Sequence, residues 1–189
     1  MKKSSIISMV FLLISAVSFS QENAANTAEI ENYNEIKLNM TNLIGFKWFD
    51  VTYERTLNEE SSFGIGLLTK IGSDLDDGDG LDAYRTFSIT PFYRQYFSKK
   101  YAQGFFVEGF AMLHSGKDIS SYDYNPNNGI YTYTYEKYTD LAIGVSTGAK
   151  FLTKRGFIAE IYLGIGRDFL GQSDIDVVGR GGVSLGYRF

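Results

Sequence analysis

The chain has 189 residues, 44% of them hydrophobic and 16% aromatic, with 20 glycines, two prolines, no cysteine and a formal net charge of −4. The lack of cysteine excludes a disulfide framework and thiolate metal sites, and a pI near 5.1 excludes the basic footprint that a nucleic-acid partner requires. The 14 tyrosines and 15 phenylalanines exceed the needs of a soluble core and suit a surface with aromatic girdles.

Met1, Lys2 and Lys3 make a basic start, residues 6–19 are apolar but lightened by serines, and Ser18 and Ser20 place small side chains before Gln21. This pattern predicts a secretory signal peptide over residues 1–20, cut near Ser20. The run is too short for a spanning helix, which needs about 20 apolar residues, and no cysteine follows it to carry a lipid. About 170 residues remain, enough for one domain. Residues 21–34 are polar, rich in Asn, Ala and Glu, and aperiodic, so a flexible lead-in is expected before a single domain over residues 35–189.

From residue 35 onward apolar and polar side chains alternate with period two, the signature of strands with one greasy and one polar face. Residues 35–43 set Ile36, Leu38 and Met40 against Lys37, Asn39 and Thr41, and residues 47–56 set Phe49, Val51 and Tyr53 against Asp50, Thr52 and Glu54. Residues 62–71 oppose Phe63, Ile65 and Leu67 to Gly64, Gly66 and Lys70. Residues 84–97 oppose Phe87, Ile89 and Tyr93 to Ser88, Thr90 and Arg94, with Pro91 in mid-strand predicting a bulge or a missing ladder bond. Residues 105–114 place Phe105, Val107 and Leu113 against Glu108, Phe110 and Met112. Residues 141–151 place Leu141, Ile143 and Val145 against Gly144, Ser146, Gly148 and Lys150, and residues 157–166 place Ala159, Ile161, Leu163 and Ile165 against Glu160, Tyr162 and Gly164. The last segment, 177–189, carries Val183, Leu185, Tyr187 and Phe189 in one row and Arg180, Ser184 and Arg188 in the other.

The connections after the second, fourth and sixth segments are short. Those after the third, fifth and seventh (72–83, 115–140 and 167–176) are long, and the first (44–46) is short and breaks the series. Short turns at one end and long loops at the other, with eight segments in all, predict an all-β, eight-stranded antiparallel up-and-down transmembrane β-barrel. In hydrocarbon, an unpaired backbone group costs several kcal/mol, so such a sheet must close on itself. The polar rows then enclose Glu35, Lys37, Asp50, Glu54, Lys70, Arg94, Glu108, Lys150, Glu160, Arg180 and Arg188 in a lumen just wide enough for side chains to fill. Their signs nearly balance, which favours a salt-bridged plug over a catalytic carboxylate pair or a conducting pore. Gly144, Gly148, Gly164, Gly182 and Gly186 leave room for Tyr96, Phe106, Phe110 and Tyr162. A soluble lipocalin-like barrel is the alternative fold; it would turn the greasy rows inward and leave these charges outside.

Three features at the loop end are candidate sites. Asp74, Asp76, Asp77, Asp79 and Asp82 are dense in carboxylate oxygens, as a Ca²⁺ site requires, but lack the spacing and distal Glu of a calcium loop, so a solvated loop is expected. Tyr131, Tyr133, Tyr135 and Tyr138 follow a turn at residues 125–129 and predict a hairpin standing above the barrel, its tyrosines an upper aromatic girdle or a contact surface for an unidentified extracellular partner or glycan. His114, the single histidine, neighbours Ser115. Adjacent strand residues point to opposite faces, so this pair does not make a nucleophile and its base, and Ser120 or Ser121 would have to be brought in by loop folding.

The predicted signal peptide, the eight alternating segments, the charged inner rows and the ending Tyr187-Arg188-Phe189 resemble the small outer-membrane β-barrel proteins related to the OmpA barrel domain and OmpX. Residues 90–97 and 156–160 are similar to segments of uncharacterised members of that group. The resemblance covers the whole mature chain. It implies residence in a bacterial outer membrane, contact with its lipids, no cofactor, and delivery by the barrel-assembly machinery. Val183, Leu185, Tyr187 and Phe189 would then serve as the assembly signal. Some barrels of this size are lipid A acylases or deacylases using His and Ser near the outer rim, which makes a lipid-modifying enzyme the alternative to a structural or surface-interaction role.

Overall fold

The computed structural model describes residues 34–71, 85–98, 100–125, 129–170 and 177–189, and at 118–120, 122, 125, 130–133 and 135 the backbone alone. The signal peptide expected over residues 1–20 and the lead-in expected over 21–34 lie outside the described residues, except for Asn34, which is the first residue of β1; Asp74, Asp76, Asp77, Asp79 and Asp82 lie outside them too. The eight strands are β1 (Asn34–Asn39), β2 (Trp48–Thr56), β3 (Ser61–Lys70), β4 (Phe87–Tyr96), β5 (Gly104–Asn125), β6 (Ile130–Leu152), β7 (Phe157–Asp168) and β8 (Val177–Arg188). Each pairs antiparallel with the next, and β1 pairs with β8 to close the barrel. All-β, closed and up-and-down, the architecture is the one the alternation predicts.

The alternation also sorts the faces. On β3, Phe63, Ile65 and Leu67 are exposed while Ser62 is fully buried; on β7, Ile161, Leu163 and Ile165 are exposed while Glu160 and Tyr162 are buried. Every strand follows this parity, so the outer wall is apolar and the interior holds the charges. Tyr53, Phe63, Tyr93, Phe105, Phe151, Phe157 and Tyr187 are exposed in a belt near the end that carries the short turns. Those turns, residues 57–60, 97–103 and 153–156, share that end with Asn34 and Phe189, whose backbones exchange two hydrogen bonds of 2.9 and 2.8 Å.

Two expectations change, and of the two outcomes expected at Pro91 one is found. The strand expected over residues 35–43 stops at Asn39, and residues 40–45 instead form a helical turn, α1 (Met40–Gly45), for which the Asn39 side chain accepts the Asn42 N–H at 3.2 Å. An Asn at this position is a favoured helix N-cap, and the turn lets Asn42 donate to buried Asp50 at 2.6 Å. Within the connection expected over residues 115–140, residues 115–125 and 130–140 are strand, as the hairpin expected there requires. β5 leaves β4 at Ser115 and β6 meets β7 only from Ala142, so residues 116–125 and 130–141 continue as a two-stranded ribbon. At the strand rise this ribbon stands about 33 Å beyond the wall. At Pro91 there is no bulge: the β4–β5 ladder lapses at Thr90 and Pro91 and resumes in the same register, because proline has no N–H to donate.

Candidate functional site

The lower half of the lumen, toward the short turns, is a connected ion network. Strand parity delivers its charged members from seven of the eight strands, and Ser62 joins them from β3. Glu54 of β2 accepts hydrogen bonds from Lys37 Nζ (2.5 Å), Arg94 Nη1 (2.9 Å), Lys150 Nζ (2.7 Å), Ser62 Oγ (2.6 Å) and Tyr96 OH (2.6 Å). Arg94 of β4 is the reciprocal centre: its guanidinium grips Glu160 with Nη1 and Nη2 at 2.7 and 2.9 Å and reaches Glu108 with Nε at 2.6 Å. Its plane lies against the rings of Phe106 (4.2 Å) and Phe92 (4.7 Å), so the delocalised charge stays stacked as well as paired. Lys37 also reaches Glu160 at 2.7 Å, Lys150 reaches Glu35 at 2.8 Å, and Arg180 reaches Glu108 at 2.8 Å.

Nearest the turns, Arg188 donates to Glu35 from Nε at 2.8 Å and to the Ala102 carbonyl from Nη2 at 2.8 Å. Ala102 is fully buried, so this part of the β4–β5 connection tucks inward against Arg188. Asp50 sits above the network and is satisfied by the amides of Asn39 (3.1 Å) and Asn42. Ten of the eleven interior charges expected from sequence therefore lie inside. Lys70, at the end of β3 opposite Trp48, shares their inward parity but is half-buried.

Above the charges, Phe92, Phe110, Met112, Ala142 and Val178 form an apolar layer. Two of the five glycines expected to make room for aromatic rings do so: a Cβ at Gly144 would run into Phe110 Cζ, and one at Gly148 would come within 2.8 Å of both Phe106 Cζ and Tyr162 Cβ. Gly164, Gly182 and Gly186 instead lie against Ser146, Asn39 and Lys37.

The upper mouth differs. A cavity of about 390 Å³ is lined by Phe46, Trp48, Arg85, His114, Tyr138 and the first half of β8. His114 is buried; its Nε2 lies 2.9 Å from Asp168 Oδ1 and its ring meets Tyr138 edge-on at 5.7 Å. Ser115 is on the opposite face, as adjacent strand positions require, and Ser121 is exposed far out on the ribbon. The His114–Ser115 pair is thus not a catalytic dyad. Arg85, just before β4, turns inward: Nη1 contacts Met112 Sδ at 3.2 Å, Nη2 donates to the Gly179 carbonyl at 3.3 Å, and the guanidinium sits 5.2 Å from the Trp48 ring centre. Burial lowers the Arg85 pKa from its ordinary value, against the raising pull of the Asp50 carboxylate.

Tyr138 was expected on a contact surface and is buried instead, because it shares the inward parity of its partner Gly116 and of Asp140, opposite His114. Tyr131, Tyr133 and Tyr135 lie in β6, and their side chains are outside the described residues. Val183, Leu185, Tyr187 and Phe189 are all exposed on the outer face.

Sequence reading passed over Trp48, Arg85 and Asp168. Trp48 and Asp168 carried a usable signal, being one and eight residues from Phe49 and Glu160 with inward parity. Arg85 carried none, since its parity with outward Phe87 points it outside until the chain bends at Thr86. Among the described residues no group of three or more acidic or histidine side chains could hold a metal ion. No family model matches the chain, and no curated protein or solved structure does either.

Proposed function

We propose that the chain is an integral outer-membrane β-barrel whose lumen is plugged, with a structural or surface-interaction role exercised through its long-loop end and the β5–β6 ribbon. One observation carries this reading: the molecule is inverted, with Leu163, Phe151, Ile165 and Val145 at 73%, 64%, 61% and 58% exposure while Glu35, Glu54 and Glu108 are at 0%. An apolar surface running round the whole barrel far exceeds the few hundred Å² that soluble monomers tolerate. In hydrocarbon it is the favourable arrangement, since a closed sheet satisfies every backbone group within the wall. The belt of Tyr and Phe near the turns supports an interfacial girdle. The neighbours implied are outer-membrane lipids and, during biogenesis, the assembly machinery.

Electrophoresis of unheated and boiled samples in detergent, together with membrane fractionation, is the test. A membrane-fraction protein whose unheated form migrates differently is the expected result; a soluble protein with one mobility would overturn the reading. Planar-bilayer recording tests the plug. The Arg94–Glu54–Glu160–Lys37 cluster and the inward Ala102 support a plug at the lower mouth, so no stepwise current is expected.

A further inference from the structure

The seam between β1 and β8 is short. It runs from Glu35↔Arg188 to Asn39↔Ser184, after which β1 turns away into α1 while β8 continues back to Val177. Side chains cover part of the edge this exposes: Val183 N–H donates to Thr41 Oγ1 (3.0 Å), Asn39 Nδ2 to the Gly181 carbonyl (3.1 Å) and Arg85 Nη2 to the Gly179 carbonyl (3.3 Å). The upper cavity opens across this edge. Its lining includes Val178 and Arg180 from the inner face of β8, but also Val177, Gly179 and Gly181 from the outer face, and the exposed Leu163 beside them. It therefore connects the lumen mouth to the apolar outer wall, and at Gly179 an added Cβ would meet nothing within 4 Å.

Three buried polar atoms on this lining have no hydrogen-bond partner among the described residues: Trp48 Nε1, Arg85 Nε and His114 Nδ1. Trp48 is 5% exposed and His114 2%, and buried groups of this kind are rarely left orphaned. Trp48 Nε1 and Arg85 Nε can only donate; His114 Nδ1 donates when the ring, held at Nε2 by Asp168, carries both protons. No carboxylate among the described residues closes on Arg85, whereas Arg180 is neutralised by Glu108. A cation and two further ring nitrogens at the inner end of an apolar trough call for oxygen with negative charge, attached to a hydrocarbon chain.

We propose that this chamber binds a single-chain amphiphile with an oxyanion head, an acyl carboxylate or an alkyl phosphate. The head is held by Trp48, Arg85 and His114, and the chain leaves over the edge of β8 along Gly179 and Gly181. The inference rests on the membrane reading only for where the ligand comes from. The volume is within the range of small-molecule sites, about 300–1,000 Å³.

Trp48 is the only tryptophan, so its fluorescence reports the site directly. The full chain in nonionic detergent would be titrated with chain-brominated stearate, the matching alkyl phosphate and the matching alcohol, all of which partition into micelles. Saturable quenching by one or both anions at about tenfold to a hundredfold lower concentration than by the alcohol is expected, the ratio that a charge-assisted bond supplies. Whichever anion quenches identifies the head chemistry. Arg85→Gln should abolish the preference for the anions, and Gly179→Leu should weaken all binding by filling the trough. Variants are compared only if the unheated gel form persists, and His114→Gln provides a second head-group variant should Arg85→Gln misfold. Equal quenching by acid and alcohol, a preference that survives Arg85→Gln or His114→Gln, or displacement by inorganic phosphate as effectively as by alkyl phosphate would each overturn the proposal. A soluble protein that still preferred the acid would sink the membrane reading and leave this one standing.

Discussion

The two ends of the lumen solve the same problem in opposite ways. In the lower half, Lys37, Arg94, Lys150, Arg180 and Arg188 share four carboxylates, Glu35, Glu54, Glu108 and Glu160, and Glu54 alone accepts from three cations and two hydroxyls. Every charge is desolvated, and every one has geometry good enough to offset that cost. In the upper half the walls are apolar, Arg85 leans on a thioether and a carbonyl, and three ring or guanidinium nitrogens stay unpaired. A buried network is expensive to break and inert when whole. A chamber with unpaired donors is cheap to alter and has chemistry to spare. The contrast separates what stabilises this barrel from what recognises.

The sharpest way to break the comparison is Arg94→Ala. It leaves Glu54, Glu108 and Glu160 short of their shared cation, and removing one member of a buried ion network costs about 3–5 kcal/mol. Urea titration followed by the unheated gel form should show a large fall in midpoint; an unchanged midpoint would mean that water reaches the cluster. Next is Gly148→Val, which forces atoms against Phe106 and the Ile161 carbonyl. Overpacking of this kind costs about 1–3 kcal/mol, and the same titration measures it. Asn39→Ala removes the cap of α1 and the donor to Gly181, and about 1 kcal/mol is expected from the lost cap. Faster amide exchange at Gly181 and Val183 than at Leu185 in that variant would locate the loosening at the upper seam. Smallest is Trp48→Phe. It deletes an N–H that has no partner among the described residues, so stability should move by less than about 1 kcal/mol, in contrast to the loss at Arg94. A loss as large as that of Arg94→Ala would show that the upper mouth is structural after all.

Period-two alternation by itself determined the strand count, the closure and the side on which each charge within a wall strand lies, because in a strand a one-residue shift inverts every side chain and eight segments kept one parity. Glu54, Arg94, Glu108 and Glu160 could be placed inside from that alone. Which of them touch could not be read from sequence: Lys37 and Glu160 are 123 positions apart, and only the stagger of a closed barrel brings them to one level. The end of β1 was also hidden, since Met40 continues the apolar row and the helix that replaces the strand is decided by Asn39 and by Asn42 reaching Asp50. The same holds for the upper chamber. Arg85 has outward parity in the chain and an inward position in the fold, because its direction is set by a bend before β4 and by the β8 carbonyl it meets. Local pattern fixes a strand's faces; meeting points between distant strands, and the turns where pattern stops, belong to the tertiary structure.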